Sequence, residues 1–324
     1  MSNHHSPDMS VVIVTDRYQT IRQTVRRLRA QTARDRLELV IVTPSSETLE
    51  PDDTELADFP WVRVVAVGTL GSLSWAGVPG IRQASAPLVA LTESHSYPAP
   101  GWAEALIVAH QEPWAAVGPV IGNANPGSLV SWTNLLLDYG RWIDPAPAGE
   151  IDDLPGHNSS YKRALLLDYG AELETLLEAE TVLHEDLRAR GYRLYLEPAA
   201  KTYHLNVTLL SSWIAERFHA GRRFAAARAQ HWSPLWRLLY TAGAPLIPLV
   251  RLPRILGDIR RIGRGRTLLP WILPALIVSL VVNAAGEIVG AACSGGNAML
   301  RLSEMELNKI PHLAKRHRQA VTER

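Results

Sequence analysis

The sequence predicts an α/β protein with a mostly parallel sheet flanked by helices, followed by a region of membrane-associated helices. Two observations carry this prediction. Within the first 92 residues, short apolar runs rich in β-branched residues alternate with segments of helical periodicity, a pattern typical of parallel sheets covered on both faces. Further along the chain, residues 267–286 carry no charged side chain, and a stretch of about twenty such residues is what a bilayer core requires.

The predicted elements follow from hydrophobic periodicity. Strands are predicted at residues 9–15, 37–43, 61–67, 87–92, 114–123 and 192–198, the last of them ending at Pro198. Helices are predicted at residues 20–34, 101–110 and 172–190, and Gly191 ends the last of them. Residues 71–84 are predicted to be a loop that runs into a helix. Residues 156–170 suggest a loop followed by a helix, and the aromatic, proline-rich residues 126–154 are predicted to be an irregular connection.

The composition narrows the class of protein. The 324-residue chain is 47% apolar and 20% charged, which is ordinary for a globular protein and wrong for a disordered one. Its net charge of +1 argues against a general nucleic-acid binder, which would carry a basic excess. A single cysteine, Cys293, rules out an intrachain disulfide and favours a reducing compartment. We identify no signal peptide, and we expect residues 1–8 to form a flexible tail.

The character of the chain changes near residue 211. Residues 212–232 predict a basic amphipathic helix in which Trp213, Phe218 and Phe224 lie among arginines. Such a face suits the headgroups of an anionic membrane, although a soluble surface helix has the same pattern. We therefore divide the chain into an α/β region over residues 9–210 and a membrane-associated region over 211–324.

The charge-free segment 267–286 also predicts an orientation. Arginines precede it, so its N-terminal flank is expected at the cytoplasmic face of the membrane by the positive-inside rule. Pro270 and Pro274 leave a bent or re-entrant element open as an alternative to a spanning helix. Glu287, at the far end, is expected to lie at the membrane interface.

Polar side chains follow the fourth predicted strand in the sequence LTESHSYPAPGW, residues 91–102. In open α/β sheets ligands bind beyond the carboxyl ends of the strands. Glu93 and His95 are therefore candidate binding residues. A polar strand-to-turn junction without a ligand is the alternative that this stretch allows when taken alone.

Further motifs follow in a characteristic order. P-x-P-G-W spans residues 98–102, a G-x-N-x-x-x-[KR]-R loop spans 156–163, and an acidic helix start precedes G-[YH]-R-L-x-x-x-P at 191–198 and a histidine, His204. Over roughly residues 9–230 this order resembles the family 2 glycosyltransferases of the GT-A fold. The hydrophobic tail resembles that of membrane-associated members. The resemblance implies an inverting, metal-dependent transfer of one sugar from a nucleotide-sugar donor to a lipid-linked or other saccharide acceptor.

The resemblance implies a divalent cation, Mn²⁺ or Mg²⁺, at the position of the family's D-x-D motif. Here that motif reads Glu93-Ser94-His95. A carboxylate and an imidazole two residues apart can still bind a cation that neutralises the diphosphate, and the histidine shifts the preference from Mg²⁺ towards Mn²⁺. His204 matches a histidine that in relatives approaches the metal or the diphosphate.

The general base of the family is the aspartate of an E-D pair, which here becomes Ala179-Glu180, so Glu180 is the predicted base. An inverting transfer needs one carboxylate to accept the proton of the attacking hydroxyl. The alternative is a solvated helix face on which Glu178, Glu180 and Glu185 pair with arginines.

The resemblance also implies which residues bind the nucleotide-sugar donor. His157 and Asn158 are expected to border the sugar and the acceptor. The aspartate that reads uracil in relatives is replaced by Thr43-Pro44, so Asp16, next to Thr15 at the end of the first strand, is a candidate for base recognition.

Arg222 has two interpretations at this stage. Its guanidinium is a candidate for clamping the diphosphate and equally for touching lipid phosphate.

Two rival functions stay open at this stage. A catalytically degenerate GT-A domain that acts as a membrane-bound scaffold or nucleotide-sugar binding module would explain the altered motifs. A membrane-anchored hydrolase with Glu93 and Glu180 as paired carboxylates is the weaker rival.

Overall fold

The computed structural model describes residues 6–70, 73–178 and 180–322. The described chain forms two compact units that interleave in sequence. The sheet unit comprises the residues up to Gly122 together with Asp144–His204, and the helical unit comprises Asn123–Ile143 and the residues from Leu205 onward. The contiguous division into residues 9–210 and 211–324 stays a prediction, and residues 1–5 of the predicted tail lie outside the described residues.

The sheet unit is built on one mixed sheet. Its described strands are β1 (Met9–Val14), β2 (Leu37–Thr43), β3 (Trp61–Ala66), β4 (Leu88–Thr92), β5 (Ser96–Pro98), β6 (Ala116–Asn123), β7 (Gly149–Ile151), β8 (Ser160–Lys162) and β9 (Leu194–His204). The strand order is β3-β2-β1-β4-β8-β6-β9-β5, with β7 beside β9. Strands β1 to β4 are parallel, whereas β8 runs antiparallel between β4 and β6. The predicted α/β class is confirmed.

The described helices divide between the two units. They are α1 (Tyr18–Arg29), α2 (Ser46–Leu49), α3 (Asp53–Leu56), α4 (Leu73–Gln83), α5 (Trp102–Ala109), α6 (Leu129–Tyr139), α7 (Arg163–Leu167), α8 (Leu173–Glu178), α9 (Glu180–Ala189), α10 (Leu210–Arg228), α11 (Pro234–Gly243), α12 (Ile247–Arg261), α13 (Gly265–Cys293), α14 (Ala298–Leu307) and α15 (Lys315–Thr322). Short 3₁₀ turns lie at Arg34–Arg36, Gly140–Trp142, Gly170–Glu172, Ala244–Leu246 and Ile310–His312. Helix α6 and helices α10 to α15 belong to the helical unit.

Alternation along the central strands creates two apolar layers. In β1, Val11 and Ile13 face one cluster that includes Ile21 and Val25 of α1. The intervening Val12 faces the opposite cluster, which includes residues of α4 and α9. Because side chains of a strand point alternately to its two faces, a continuous apolar run of this kind belongs to a sheet covered by helices on both sides.

Three local predictions in the sheet unit are wrong. The helix predicted over residues 172–190 is two helices, α8 and α9, and the loop before residue 163 contains the short strand β8. Strand β9 does not stop at Pro198 but continues to His204. Pro198 lies between the segment of β9 that pairs with β7 and the segment that pairs with β5, where no hydrogen bond to those two strands is needed from its nitrogen.

The connection predicted over residues 126–154 contains helix α6. Ser128 caps this helix by accepting a hydrogen bond from the backbone N–H of Ser131. Leu135 and Leu136 are buried, so the aromatic and apolar residues that obscured the periodicity form the packed face of a helix.

The helical unit contains a close helix pair. Gly221 of α10 lies against the backbone of Asn283 in α13, while Gly286 and Gly290 of α13 lie against the backbone of α10. A β-carbon at any of these glycines would meet backbone atoms, which fixes the spacing of the two helices. In the described part of the chain, α13 is the one helix long and apolar enough to cross a membrane.

Glu287 does not lie at the end of this helix, so the prediction for it is wrong. It is buried within α13 and accepts hydrogen bonds from the Tyr240 hydroxyl and, at 2.7 Å, from the Asn283 amide. These partners belong to the helical unit, which gives Glu287 a packing role there.

Candidate active site

The carboxyl ends of β1, β2 and β4 form one edge of the sheet. The backbone N–H of Thr15 donates to the carbonyl of Val42 at 2.9 Å, which continues the β1–β2 register to the ends of both strands. Thr15 and Thr43 are fully buried, and the Thr15 hydroxyl donates to the carbonyl of Arg17 at 2.7 Å. These two threonines shape the strand ends, whereas the Asp16 side chain is 43% exposed and available to a ligand.

A carboxylate and two imidazoles meet at the end of β4. The Nε2 atoms of His95 and His204 are 3.0 Å apart, and Glu93 Oε2 lies 3.8 Å from the first and 3.5 Å from the second. Antiparallel pairing of β5 with β9 places Ser96 opposite His204 and so brings the distant histidine to the motif. Both histidines are buried. The structure therefore brings together the three residues predicted as metal ligands.

The donor set of this cluster fits a divalent cation. Ligand atoms of Glu93, His95 and His204 all lie within 4.8 Å of one another. Donor atoms 3.0–3.8 Å apart can each lie about 2 Å from one common point, the usual distance from a nitrogen or oxygen ligand to a transition metal. Two imidazoles with one carboxylate favour borderline cations such as Mn²⁺ over Mg²⁺, which prefers oxygen ligands.

Neighbouring polar groups orient the cluster. Glu93 Oε2 accepts hydrogen bonds from Ser96 Oγ and from Asn158 Nδ2, both at 2.8 Å. The Ser94 hydroxyl lies 3.2 Å from His95 Nδ1, and the Thr24 hydroxyl donates to the carbonyl of Ser94 at 2.7 Å. Asn158, predicted to border the sugar, is buried and contacts a proposed metal ligand directly. Such supporting hydrogen bonds fix the orientation of metal ligands.

Glu180 is the first residue of α9, and its carboxylate is held by the turn before β8. Its Oε2 accepts a hydrogen bond from the backbone N–H of His157 at 2.6 Å and lies 3.6 Å from His157 Nδ1. His157 adopts φ of +56°, a left-handed conformation that costs about 1 kcal/mol or more in a residue with a side chain. Gly156 permits the approach, since a β-carbon there would lie 2.6 Å from Glu180 Oε2.

One short turn thus contacts both predicted functional carboxylates. Within residues 156–158, the backbone of His157 binds Glu180 while the side chain of Asn158 binds Glu93. The proposed base and the proposed metal ligands are therefore positioned by the same segment of chain.

Arg222 belongs to the helical unit. Its Nε donates to the carbonyl of Ser294 at 2.9 Å within that unit. Its predicted contact with phosphate stays a prediction.

Sequence reasoning missed a buried hydrogen-bonded set beside Glu180. His184 is fully buried and lies between Asp153 and Tyr161. One feature of the sequence could have indicated this set. His184 follows Glu180 by four residues, and this spacing places both side chains on one face of a helix. The loop and the strand that supply its partners could not be identified from local pattern.

Comparison with known proteins identifies a family that part of this chain resembles. Residues 10–170, just under half of the chain, match the family model described as Glycosyl transferase family 2. The chain has a GT-A-like fold, and over these residues it is similar to the glycosyltransferases of family 2. The matched segment contains the strand-end motif at Glu93 and the turn at residues 156–158.

Three solved structures are similar to this chain at low sequence identity. TarS from S. aureus (residues 1–349) is 17% identical, with 90% of each chain covered and a TM-score of 0.47. The mannosyltransferase PcManGT from Pyrobaculum calidifontis, in complex with GDP-Man and Mn²⁺, is 16% identical, with 98% of this chain and 84% of that chain covered and a TM-score of 0.46. GalNAc-T7 with UDP, GalNAc and Mn²⁺ is 15% identical, with 63% of this chain covered and a TM-score of 0.45.

The chain spans 45% of the length of the GalNAc-T7 chain. No curated protein sequence matches this chain.

Proposed function

We propose that this protein is a glycosyltransferase that transfers one sugar, with inversion at the anomeric carbon, from a nucleotide-sugar donor to a lipid-linked or membrane-proximal acceptor in a metal-dependent reaction. One observation carries the proposal. The turn at residues 156–158 holds the Glu93 carboxylate of the Glu93/His95/His204 cluster and the Glu180 carboxylate at once. A donor bound at the cluster that contains Glu93 and an acceptor hydroxyl bound at Glu180 would therefore lie in one site.

Glu93, His95 and His204 would hold the cation. When bound, a divalent cation neutralises the diphosphate of the donor and stabilises it as a leaving group. The chain itself orients the ligands through Ser96 and Asn158, both hydrogen-bonded to Glu93. Burial of the two histidines keeps competing water away from their nitrogens.

Glu180 would act as the general base. Its carboxylate accepts the proton of the acceptor hydroxyl while that oxygen forms a bond to the anomeric carbon and the bond to the diphosphate breaks. The hydrogen bond from His157 fixes one carboxylate oxygen. The other, Oε1, is buried and has no hydrogen-bond partner among the described residues, so it has capacity to accept one.

The nucleotide would lie at the carboxyl edge of β1 and β2. Thr15 and Thr43 form the floor of this edge, and the partly exposed Asp16 is the group proposed to recognise the base. His157, 35% exposed at its side chain, is proposed to border the sugar.

The helical unit would bind the cytoplasmic face of the cell membrane. It carries large apolar side chains that are more than half exposed, on α11, on α12 and its preceding turn, and on α13: Leu235, Trp236, Leu238, Leu239, Leu246, Leu249, Val250 and Trp271. Exposed arginines in the same unit, Arg254, Arg260 and Arg266, suit anionic headgroups. Only 39% of the most apolar window of α13 is buried within the protein, which leaves much of that helix to contact lipid.

The substitution Glu180→Gln tests the proposed function. The amide keeps the shape but cannot accept the proton, so we expect at least a hundredfold loss of turnover with unchanged donor binding. Turnover is measured as nucleoside diphosphate released from UDP-, GDP- and dTDP-sugars with Mn²⁺. Glu185→Gln, an exposed position on the same helix, is the matched control and should retain full turnover. Full turnover in Glu180→Gln would overturn the base assignment.

A nucleotide-sugar binding module without catalysis is the second candidate. It is favoured by one observation, the replacement of the family's aspartates by His95 and Glu180 at the two functional positions. Metal-dependent donor binding by the wild-type protein, without release of nucleoside diphosphate in the presence of membrane lipids, would support this alternative over the transferase.

A further inference from the structure

Helix α13 is long and apolar enough to cross a membrane, yet one of its faces is buried along its whole length. It is a continuous helix of 29 residues, about 44 Å long, with Pro270 and Pro274 inside it. A re-entrant element would need a break, and Gly265–Cys293 contains none. Buried side chains recur every three or four residues, at Leu268, Ile272, Leu276, Leu280, Ala284, Glu287 and Ala291.

Helix α10 covers much of this buried face. The indole N–H of Trp213 donates to the hydroxyl of Ser279 at 3.0 Å. Further along both helices, Gly290 lies against the backbone of Arg222. The two helices therefore run side by side in the same direction. Because Ser279 lies inside the charge-free segment 267–286, groups that pack beside Trp213 lie beside that segment as well.

The chain that follows α13 folds back to the same level. Met305 of α14 packs in one apolar cluster with Trp213, and Ala275 of α13 packs against that cluster. Further on, the backbone N–H of Leu209, just before α10, donates to the carbonyl of His312 at 2.9 Å. The segment that comes after the end of α13 thus lies beside the middle of that helix.

This returning segment carries charged side chains. Lys309 Nζ donates to Glu216 Oε1 at 3.1 Å and to Glu306 Oε1 at 2.7 Å, and both Lys309 and Glu216 are buried. On α14, the exposed side chains of Arg301 and Glu304 form an ion pair at 3.4 Å. A bilayer crossed by α13 would surround this segment with hydrocarbon, where charged side chains are strongly unfavourable.

The face of α13 opposite to α10 is apolar and exposed. Its side chains are 38% to 69% exposed and belong to Trp271, Leu273, Ile277, Val278 and Val281. Helix α14 packs on α10, which covers the buried face, so the charged side chains of α14 lie on the side away from this apolar face. The helical unit therefore has a charged side and an apolar side, separated by the width of two helices.

The charge next to the apolar face is positive. From Pro234 to Cys293, which includes α11, α12 and α13, the chain has seven arginines and two acidic residues. Of the two acids, Asp258 pairs with Arg261 at 3.4 Å and Glu287 is buried. An apolar face bordered by arginines is typical of proteins that bind in the plane of an anionic membrane interface.

We propose that α13 lies along the membrane interface rather than across it, with its apolar face in contact with lipid and its α10 side facing water. This orientation rests on the membrane binding proposed above for the helical unit. Both ends of α13, at Arg266 and Cys293, then face the cytoplasm. The protein would reach a lipid-linked acceptor from one leaflet only.

Reaction of cysteines with a membrane-impermeant maleimide tests the orientation. Cys293, the single cysteine of the chain, is exposed at the C-terminal end of α13 and is the native probe. Arg266→Cys in a Cys293→Ser background is the matched control, because this exposed N-terminal end faces the cytoplasm in either orientation. The full chain is expressed in bacteria. Labelling is compared between inverted membrane vesicles and intact spheroplasts, with detergent-solubilised protein as the reference for full reaction.

The outcomes separate the orientation from the proposed membrane binding. We expect Cys293 and the Arg266→Cys probe both to react fully in inverted vesicles and to lose that reaction in spheroplasts. Reaction of the Arg266→Cys probe in inverted vesicles, with reaction of Cys293 in spheroplasts alone, would show that α13 crosses the membrane and would overturn the interfacial orientation. Protein found only in the soluble fraction would overturn the proposed membrane binding itself.

Two further variants test the two sides of the helical unit, each in the Cys293→Ser background. Ile277→Cys places the probe on the apolar face, so it should stay unreacted in both preparations until detergent is added. Glu304→Cys places it on the exposed side of α14, so it should react in inverted vesicles. Reaction of Glu304→Cys in spheroplasts alone, or full reaction of Ile277→Cys without detergent, would contradict the interfacial orientation.

Discussion

The imidazole nitrogens of His95 and His204 lie 3.0 Å apart, although 109 residues separate the two histidines along the chain. Pairing of β5 with β9 produces this contact, and Glu93 completes a set of three ligand atoms around it. Two buried imidazole nitrogens at this distance can both bind one shared cation. The relationship is the structural basis for the proposed metal site.

Removal of one ligand should weaken metal binding. We expect His204→Ala to lower the affinity for Mn²⁺ by at least about tenfold, because one nitrogen ligand is lost while Glu93 and His95 stay in place. Mn²⁺ binding is measured by electron paramagnetic resonance of the free ion. His231→Ala, an exposed histidine of the helical unit, serves as the control and should bind Mn²⁺ as the wild type does. Unchanged Mn²⁺ affinity in His204→Ala would exclude this histidine as a ligand.

Gly156 should be intolerant of a side chain for a catalytic reason. An alanine β-carbon would lie 2.6 Å from Glu180 Oε2 and would displace the carboxylate. We expect Gly156→Ala to lower kcat at least about tenfold, as misplacement of a general base does. At Gly101 a β-carbon would meet no atom within 4 Å, so Gly101→Ala is the control. A Gly156→Ala enzyme with wild-type kcat would show that the close contact does not position Glu180.

His110 should make the fold sensitive to acid. Burial, with the positive charge of Lys162 adding to it, lowers the pKa of His110 to about 4. Below its ordinary pKa near 6.5 the unfolded chain therefore binds a proton that the folded protein does not, and stability falls as the pH falls towards 4.

The lowered pKa of His110 makes the free energy of unfolding about 2 kcal/mol smaller at pH 5 than at pH 7. Urea denaturation of the wild type and of His110→Gln measures it. The variant should lose less stability over this interval, and His231→Gln should behave as the wild type. Identical pH dependence in His110→Gln and the wild type would contradict the assignment.

The exposed apolar side chains of the helical unit should mediate membrane binding. We expect Trp236→Glu with Leu239→Glu to reduce binding to vesicles of phosphatidylglycerol and phosphatidylcholine several-fold, since two groups that are 64% and 51% exposed become charged. Co-sedimentation measures the bound fraction. Val108→Glu replaces an exposed apolar residue of the sheet unit and should leave binding unchanged. Vesicle binding that is equal in both variants would exclude α11 as a membrane contact.

The central strands and the ligand edge could be predicted because their signals are local. Strands β1 to β4 are short, largely apolar runs, and Glu93 and His95 follow the last of them directly. The short strand β8 was missed because three residues carry too little periodicity. Helix α6 was missed because its aromatic residues and the prolines around it suggested irregular chain.

The rest of the candidate site depends on contacts between distant segments. His204 reaches Glu93 only through the pairing of β5 and β9, and Asn158 reaches it only because β8 lies beside β4. The contacts of His184 with Asp153 and Tyr161 join a helix, a loop and a strand. Sequence spacing reveals residue types along one element, whereas these relationships are set by tertiary packing.

The most direct test of the account is the metal dependence of donor turnover by the full chain. Nucleoside diphosphate release from UDP-, GDP- and dTDP-sugars is measured with Mn²⁺, and then with a chelator in its place, in the presence of anionic vesicles. The account predicts release from at least one donor with Mn²⁺, loss of that release with the chelator, and no release by Glu180→Gln under either condition. Release that persists with the chelator, or the absence of Mn²⁺-dependent release from every donor, would contradict it.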